Sequence, residues 1–186
     1  MRWEDLFADL ESQADAAEAA ELAAEVAERT RHEVGRLRLV DRLRAAAGAT
    51  VVVRVRGAGA LAGRVVDVGA DWALLEEQDG RAALVALREV LALSGVGARS
   101  DLPGSEGAVE QRLDLRYALR RLVRDRVAVE VVLVDGTVVA GTLDRVAADH
   151  VDLAQHAPDQ ARRARAVQQV LLLPLSAIAL VRVEPR

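Results

Sequence analysis

The sequence contains no cysteine, no lysine and no asparagine, and only four of its 186 residues are aromatic. Without cysteine there can be no disulfide and no thiolate metal site, and we expect a cytoplasmic protein. The core must be built from Val, Leu and Ala. No apolar run approaches the roughly 18 residues that a membrane-spanning helix needs. Because the first residues are acidic, we expect no signal peptide and no membrane association.

Charge is present but unevenly distributed. Residues 1–33 carry ten acidic residues and three arginines, whereas the rest of the chain is mildly basic. All 25 basic residues are Arg, a bias typical of a GC-rich genome rather than of a function. An acidic arm on a basic body fits intramolecular or protein contacts at least as well as nucleic acid.

The N-terminal segment 1–35 is predicted to be an acidic helix. Ala, Glu and Leu dominate it, and no Gly or Pro occurs before Gly35. Trp3, Phe7 and Leu10 form an apolar face at helical spacing. An apolar face must be covered, so we expect this end of the helix to dock either on the rest of the chain or on a second chain.

The remainder of the chain contains an internal repeat. Residues 36–93 are predicted to be a short helix and five short strands, and the same order recurs at 108–186 after a linker at 94–107. An offset of 78 aligns 37–75 with 115–153 without gaps, with eleven of 39 positions identical. The second copy then has ten additional residues, after which the two copies align again at an offset of 88.

Two repeated features indicate how the strands are bent. Gly63 and Gly141 lie inside the second strand of each copy, where Gly is tolerated if the strand bends or another backbone comes close. Asp71 and Asp149 lie in the turn before the third strand, where we expect each carboxylate to hydrogen-bond its own backbone. Short, strongly bent strands are typical of a small barrel.

A helix followed by five strands, with a central Gly and an Asp-bearing turn, resembles the Sm-like and related SH3-like small β-barrels. The chain also resembles a group of conserved actinobacterial proteins. The resemblance implies an α+β fold, with an N-terminal helix and two repeated helix–five-strand small β-barrels. It does not extend to the RNA pocket of Sm proteins, because the chain has neither their Asn nor their Arg-Gly pair.

The two copies differ on one face of the third strand. The first copy has Trp72 and Leu74 where the second has His150 and Asp152. We expect the N-terminal helix or the other barrel to cover Trp72 and Leu74. If they are exposed, they mark a partner-binding patch.

No catalytic constellation is evident. His32, His150 and His156 do not stand at the spacing of a helical metal pair, and no Cys supplements them. There is no Gly-x-Ser-x-Gly elbow, and a phosphate-binding Gly-Lys-Ser/Thr loop is impossible without Lys. We therefore expect no enzyme activity, metal, cofactor or small-molecule substrate.

The most distinctive candidate site is basic. Arginines follow one another at every fourth position along the second predicted helix, opposite Leu115, Leu119 and Leu122, and three more lie in the inserted loop. A stripe of guanidinium groups can pair with phosphates, although an ordinary solvated face is the simpler interpretation. The candidate nucleic-acid-binding residues are Arg112, Arg116, Arg120, Arg124, Arg162, Arg163 and Arg165.

Two functional hypotheses remain open. The first is a binding or regulatory protein that contacts RNA or DNA through the arginine stripe. The second is a protein-interaction scaffold, or a homo-oligomer, that uses the N-terminal helix and the strand edges. The two hypotheses differ in whether the arginines cluster on one open surface of the folded chain.

Overall fold

A computed structural model describes residues 3–101, 113–157 and 167–183, apart from the side chains of residues 4–6, 8, 9 and 14. The chain divides into two compact units, Met1–Leu37 and Arg38–Arg186, and each is described by itself. The fold is α+β: one long N-terminal helix, two shorter helices and an antiparallel sheet of ten strands.

The first unit is a single helix, α1, at Trp3–Arg36. Its described side chains are all exposed, including Trp3, Phe7 and Leu10. The docking of this apolar face on another surface stays a prediction. Among the described residues, neither α1 nor any other helix combines the length and the apolarity needed to cross a membrane.

The described residues of the second unit form two short α-helices and ten strands, with a 3-10 turn before the last strand of each half. Its elements in chain order are α2 Leu39–Ala45, β1 Thr50–Val55, β2 Gly59–Val68, β3 Trp72–Glu77, β4 Ala82–Ala86, β5 Val90–Ser94, α3 Leu115–Asp125, β6 Ala128–Leu133, β7 Val138–Val146, β8 His150–Gln155, β9 Gln169–Pro174 and β10 Ile178–Val183.

The strands form one continuous antiparallel sheet in the order β5-β1-β2-β3-β4-β10-β6-β7-β8-β9. Six of the nine neighbouring pairs in the sheet are consecutive strands of the sequence. The exception at the centre is β10, which lies between β4 and β6 and joins strands of the N-terminal half to strands of the C-terminal half. Leu180 pairs with Val85 on one side and with Val132 on the other.

Along β1, side chains are alternately exposed and buried, as the alternating sequence predicts. Val51, Val53 and Val55 are buried, while the residues between them are exposed. This period of two is that of a strand with one face on a core. By contrast, β4 and β10 are buried on both faces, because each lies in the middle of the sheet and has packed side chains above and below it.

Two hydrophobic clusters lie against the sheet, and both take residues from both halves of the chain. The N-terminal core, built around Val51, Leu61 and Leu75, also contains Ala179 and Leu180 of β10. The C-terminal core, built around Leu119, Leu143 and Leu153, also contains Trp72, Leu84 and Ala86 of β3 and β4. Neither core is therefore complete without strands from the other half.

Gly63 and Gly141 lie where another backbone comes close, as the sequence predicts. A Cβ built on Gly63 would lie 2.8 Å from the carbonyl oxygen of Glu76 on the neighbouring strand. A Cβ on Gly141 would overlap the carbonyl oxygen of Ala154. The obstructing atoms are backbone, so they cannot move aside as a flexible side chain could.

Replacing Gly141 with Ala should therefore destabilise the sheet. We expect Gly141→Ala to lower the free energy of unfolding by about 1–3 kcal/mol, the usual cost of overpacking. Gly35→Ala is the matched control, because nothing lies within 4 Å of a Cβ at Gly35. Urea unfolding of both variants measures the difference, and equal stability of the two would contradict the close approach.

Candidate interaction surfaces

The N-terminus of α3 is held by two carboxylates. Asp114 is the N-cap residue, and its side chain accepts a hydrogen bond from the backbone N–H of Tyr117 at 2.9 Å. Asp71, 44 residues earlier in the chain, accepts one from the backbone N–H of Leu115 at 2.7 Å. We expected the carboxylate of Asp71 to accept a hydrogen bond within its own turn; it accepts one from α3 as a long-range cap. This satisfies a helix N–H group and places negative charge at the positive end of the helix dipole.

Trp72 reinforces this contact. Its indole Nε1 donates a hydrogen bond to the carbonyl oxygen of Leu113 at 2.8 Å, and the backbone N–H of Ala70 donates to the same oxygen at 3.0 Å. The ring is buried in the C-terminal core, and Leu74 packs half-buried against that core. Residues of the C-terminal half therefore cover Trp72, as expected. The alternative expectation, an exposed partner-binding patch at Trp72, is wrong because this side chain is buried.

A cleft of about 370 Å³ remains beside Trp72, between α3 and strands of the N-terminal half. Leu74 and Leu84 lie on its sheet side, and Ala118 and Leu122 lie on its helix side. Charged residues of both signs, Asp67, Arg121 and Asp125, lie on its lining as well. The cleft is therefore mainly apolar in its walls and carries no dominant charge.

The structure brings three of the predicted arginines together on one surface. Arg116, Arg120 and Arg124 are exposed along α3, while Leu115 and Leu119 on the opposite face are buried. Arg112, Arg162, Arg163 and Arg165 lie outside the described residues.

Two of these three arginines have acidic neighbours. Arg116 forms an ion pair with Asp114 at 2.7 Å, and the nearest contact between Arg124 and Asp125 is 3.7 Å. Arg120 has no hydrogen-bond or ion-pair partner within 3–101, 113–157 and 167–183. The stripe is open to solvent, but acidic side chains next to it compensate part of its charge.

The two ends of the sheet form a second kind of surface. Within the described part of the chain, β5 pairs only with β1, and β9 pairs only with β8. Their exposed side chains include Leu91 on β5, and Val170 and Leu172 on β9. Neither strand carries a charged residue. An edge without charge or covering is suited to pair with another strand.

Several polar groups on and beside β8 have structural partners, although Oδ1 of Asp152 is buried without a hydrogen-bond partner among the described residues. Asp152 accepts hydrogen bonds from Arg145, and His150 Nδ1 lies 2.7 Å from Asp149. The hydrogen bond and the charge of His150 lower the pKa of Asp149. His156 is buried, with Nε2 2.8 Å from the hydroxyl of Thr142.

A buried ion pair stabilises α2. Asp41 is buried, and burial by itself would raise its pKa. Hydrogen bonds from Arg38 and the charges of Arg38 and Arg44 outweigh that effect, so the pKa of Asp41 lies below its ordinary value. No group of three or more His, Asp or Glu side chains suited to a metal ion occurs among the described residues.

No protein-family model matches the sequence, and no curated protein is significantly similar to it.

The sequence interpretation named strand edges as a contact surface but did not identify which strands form them. Leu91, Val170 and Leu172 were not singled out, although a signal was present. The run Val170–Leu173 has no polar residue at alternate positions, unlike a strand with one solvated face. The sequence interpretation also did not predict that Asp71 bonds to the backbone of Leu115. A turn motif does not indicate which distant backbone group a carboxylate will reach.

Asp71 and Asp149, 78 residues apart in turns of similar sequence, provide a test of the cap at α3. Asp71→Ala removes an N-cap acceptor and should lower the free energy of unfolding by about 1 kcal/mol. Asp149→Ala removes the aspartate at the equivalent sequence position, whose exposed carboxylate hydrogen-bonds its neighbour His150 rather than a helix, and should leave stability nearly unchanged. Thermal or urea unfolding compares the variants, and an equal loss in both would show that Asp71 does not act through α3.

Proposed function

We propose that this chain is a non-enzymatic, cytoplasmic scaffold for protein–protein interaction, built from two copies of one small β-barrel module of the Sm-like or SH3-like kind. The copies correspond to the helix-and-strand segments 36–93 and 108–186. The proposal combines a repeated architecture with surfaces suited to protein contacts.

The positions of the strands support the duplication. β6, β7 and β8 lie 78 residues after β1, β2 and β3, and β9 and β10 lie 88 residues after β4 and β5, to within a residue at the strand ends. The irregularities correspond as well. The shift in pairing between Val65 and Asp67 recurs between Leu143 and Arg145, at the same offset. Matching bulges favour a common ancestor of the two halves, because a bulge is a specific local feature.

The observation that carries the scaffold function is the pair of uncharged edges at β5 and β9, which have no further strand beside them among the described residues. Proteins commonly protect an edge strand with charges, proline or a covering element, because an open edge recruits other strands. β5 has no charge or proline, and β9 has no charge and a single proline, Pro174, at its last residue. Here Leu172 is 64% exposed and Leu91 is 57% exposed. Recognition by strand addition uses the backbone groups of the edge for affinity and its side chains for specificity.

The N-terminal helix supports the same function. Within the unit Met1–Leu37, α1 is the only described element, so nothing in that unit covers Trp3, Phe7 and Leu10. Trp and Phe side chains bury a large area on contact and are enriched at protein interfaces. We assign this end of α1 as a further protein-binding surface.

Site-specific photo-crosslinking in the producing cells tests the scaffold function. A photo-crosslinking amino acid placed at Leu172 or Leu91 should give covalent protein products, because a partner strand would lie against these side chains. Val66, 44% exposed on the interior strand β2, is the control position and should give none of these products. Identical product patterns at all three positions would overturn the proposal.

A second candidate function is nucleic-acid binding through the arginine stripe. It is favoured by the common exposed face of Arg116, Arg120 and Arg124, and by the absence of a described partner for Arg120. Guanidinium groups spaced along a helix can contact successive phosphates. In this version the protein would act as a regulatory binder of RNA or DNA.

Fluorescence anisotropy with labelled single-stranded RNA and duplex DNA tests this candidate. If the stripe contacts phosphates, binding should weaken steeply between about 50 and 200 mM salt. The double variant Arg116→Ala/Arg120→Ala should reduce the slope of log K against log salt by about 2. Arg54→Ala/Arg64→Ala removes the same charge from β1 and β2 and is the control. Equal effects of the two double variants, or no binding at low salt, would rule out the stripe.

A further inference from the structure

Two apolar surfaces, one on each unit of the chain, are open to solvent. On α1, Trp3 is 74% exposed, Phe7 is 60% exposed and Leu10 is 51% exposed. On the second unit, the cleft of about 370 Å³ beside Trp72 has apolar walls from α3 and from strands β3 and β4. Covering either surface with another apolar surface is favourable, because it removes apolar area from water.

The apolar residues at the start of α1 have the spacing of a helix that binds in a groove. Trp3, Leu6, Phe7 and Leu10 stand at positions i, i+3, i+4 and i+7 of the sequence. These positions share one face of a helix, and this set is typical of helices that lay an apolar face in a hydrophobic groove. They span about 10 Å, whereas α3, which forms one wall of the cleft, has 11 residues and is about 16 Å long. The apolar face of α1 is therefore short enough to lie along α3.

The charges of the two helices are complementary. Residues 3–28 contain nine acidic residues and no basic residue. In contrast, α3 contains four arginines and one aspartate, and Arg116, Arg120 and Arg124 are exposed. Arg120 has no hydrogen-bond or ion-pair partner among the described residues. An acidic helix beside α3 would supply carboxylate partners for these guanidinium groups.

The length of α1 indicates that the cleft it enters belongs to another copy. Along a straight helix, Trp3 lies about 50 Å from Arg36. The cleft of the same chain is closer to Arg36, because Arg44 on α2 hydrogen-bonds the turn before β3, and the same turn hydrogen-bonds Leu113 on the cleft lining. Even if every step of this path pointed in one direction, Leu113 would lie only about 35 Å from Arg36. A straight α1 therefore carries Trp3 past the cleft of its own chain, whatever direction the helix takes.

We propose that Trp3, Phe7 and Leu10 of one chain insert into the cleft beside Trp72 of a second copy, with the acidic side chains of α1 along the arginines of α3. Each chain has one such helix end and one such cleft, so two copies exchange both contacts and close as a two-fold dimer. The inference rests on the proposed scaffold function, which assigns the end of α1 to protein binding, and it names the partner of this surface.

The area available for burial is of the size that a dimer needs. An aromatic side chain buries about 150–250 Å² on full contact. Because Trp3 and Phe7 are more than half exposed, the two copies of each in a dimer bury roughly 400–700 Å². With a similar area covered on the two clefts, the total comes close to the about 1,200 Å² at which stable interfaces begin.

Photo-crosslinking of the purified full chain identifies the partner copy. A photo-crosslinking amino acid replaces Phe7, and unlabelled and nitrogen-15-labelled chains are mixed in equal amounts. Crosslinks should join the segment around Phe7 to α3 or β4, and about half of the joined peptide pairs should carry one peptide of each label. Leu22, 61% exposed on the same helix, is the control position and should give no crosslink to α3 or β4.

Sedimentation velocity tests the same contact by substitution. The unsubstituted chain, of 19.9 kDa, should form a reversible dimer. Phe7→Asp should raise the dimer Kd at least about tenfold, because it places a charge in an apolar cleft. Phe7 is exposed within its own unit, so the substitution removes no core contact there. Leu22→Asp adds the same charge to α1 and should leave the Kd unchanged.

Salt tests the contribution of the arginines. Raising the salt concentration from about 0.05 to 0.5 M should weaken the dimer, because exposed carboxylate–guanidinium pairs are screened. The double variant Arg116→Ala/Arg120→Ala should reduce this dependence. A dimer that is equally stable at both salt concentrations would contradict the pairing of α1 with the arginines of α3.

Three results would overturn the inference: a single chain at every concentration, equal effects of Phe7→Asp and Leu22→Asp on the Kd, or crosslinked pairs that always carry one label. The last result would show that α1 bends back onto its own chain. The scaffold function is tested separately at Leu172 and Leu91 in the producing cells. If position-specific crosslinks occur there while the purified chain is monomeric, the scaffold function stands and the exchange of α1 fails. If neither occurs, both proposals fail.

Discussion

The pairing of β10 with β4 is the contact on which the rest of the sheet depends. Among the described strands, it is the only strand pairing that joins the five strands at one side of the ten-stranded order to the five at the other. The two strands also contribute side chains to the core of the other half. Ala179 and Leu180 complete the N-terminal core, while Leu84 and Ala86 contribute to the C-terminal core. A five-strand half of this size buries too little apolar surface to be robust by itself. Because β4 and β10 contribute to both cores, each half buries additional apolar surface against the other.

The hydrogen bonds at the start of α3 also connect the N-terminal half with the C-terminal half. Ala70, Asp71 and Trp72 are consecutive residues of the N-terminal half, and all three bond to the backbone of Leu113 or Leu115. Trp72 in addition fills part of the C-terminal core. At the equivalent positions Asp149 and His150 bond to one another, so the two turns, alike in sequence, have different structural roles.

Local periodicity predicted much of the fold. The alternation of Val51, Val53 and Val55 gave β1, and the contrast of Trp72 with His150 indicated a covered face. What remained hidden was pairing between distant elements. Hydrophobic alternation indicates that a strand such as β10 has two faces, but it contains no information on which strands flank it. For the same reason the exposed edges at Leu91 and Leu172 could be recognised only after the order of strands was known.

The position of β10 has a consequence for how the chain folds during synthesis. This strand follows every other strand in the sequence and yet occupies the middle of the sheet. During synthesis, β4 therefore lacks its neighbour β10, and its apolar side chains stay uncovered, until some 90 further residues have been made. Such long-range pairing closes slowly and leaves intermediates prone to aggregation. The nascent N-terminal half therefore exposes apolar surface that β10 covers in the folded chain.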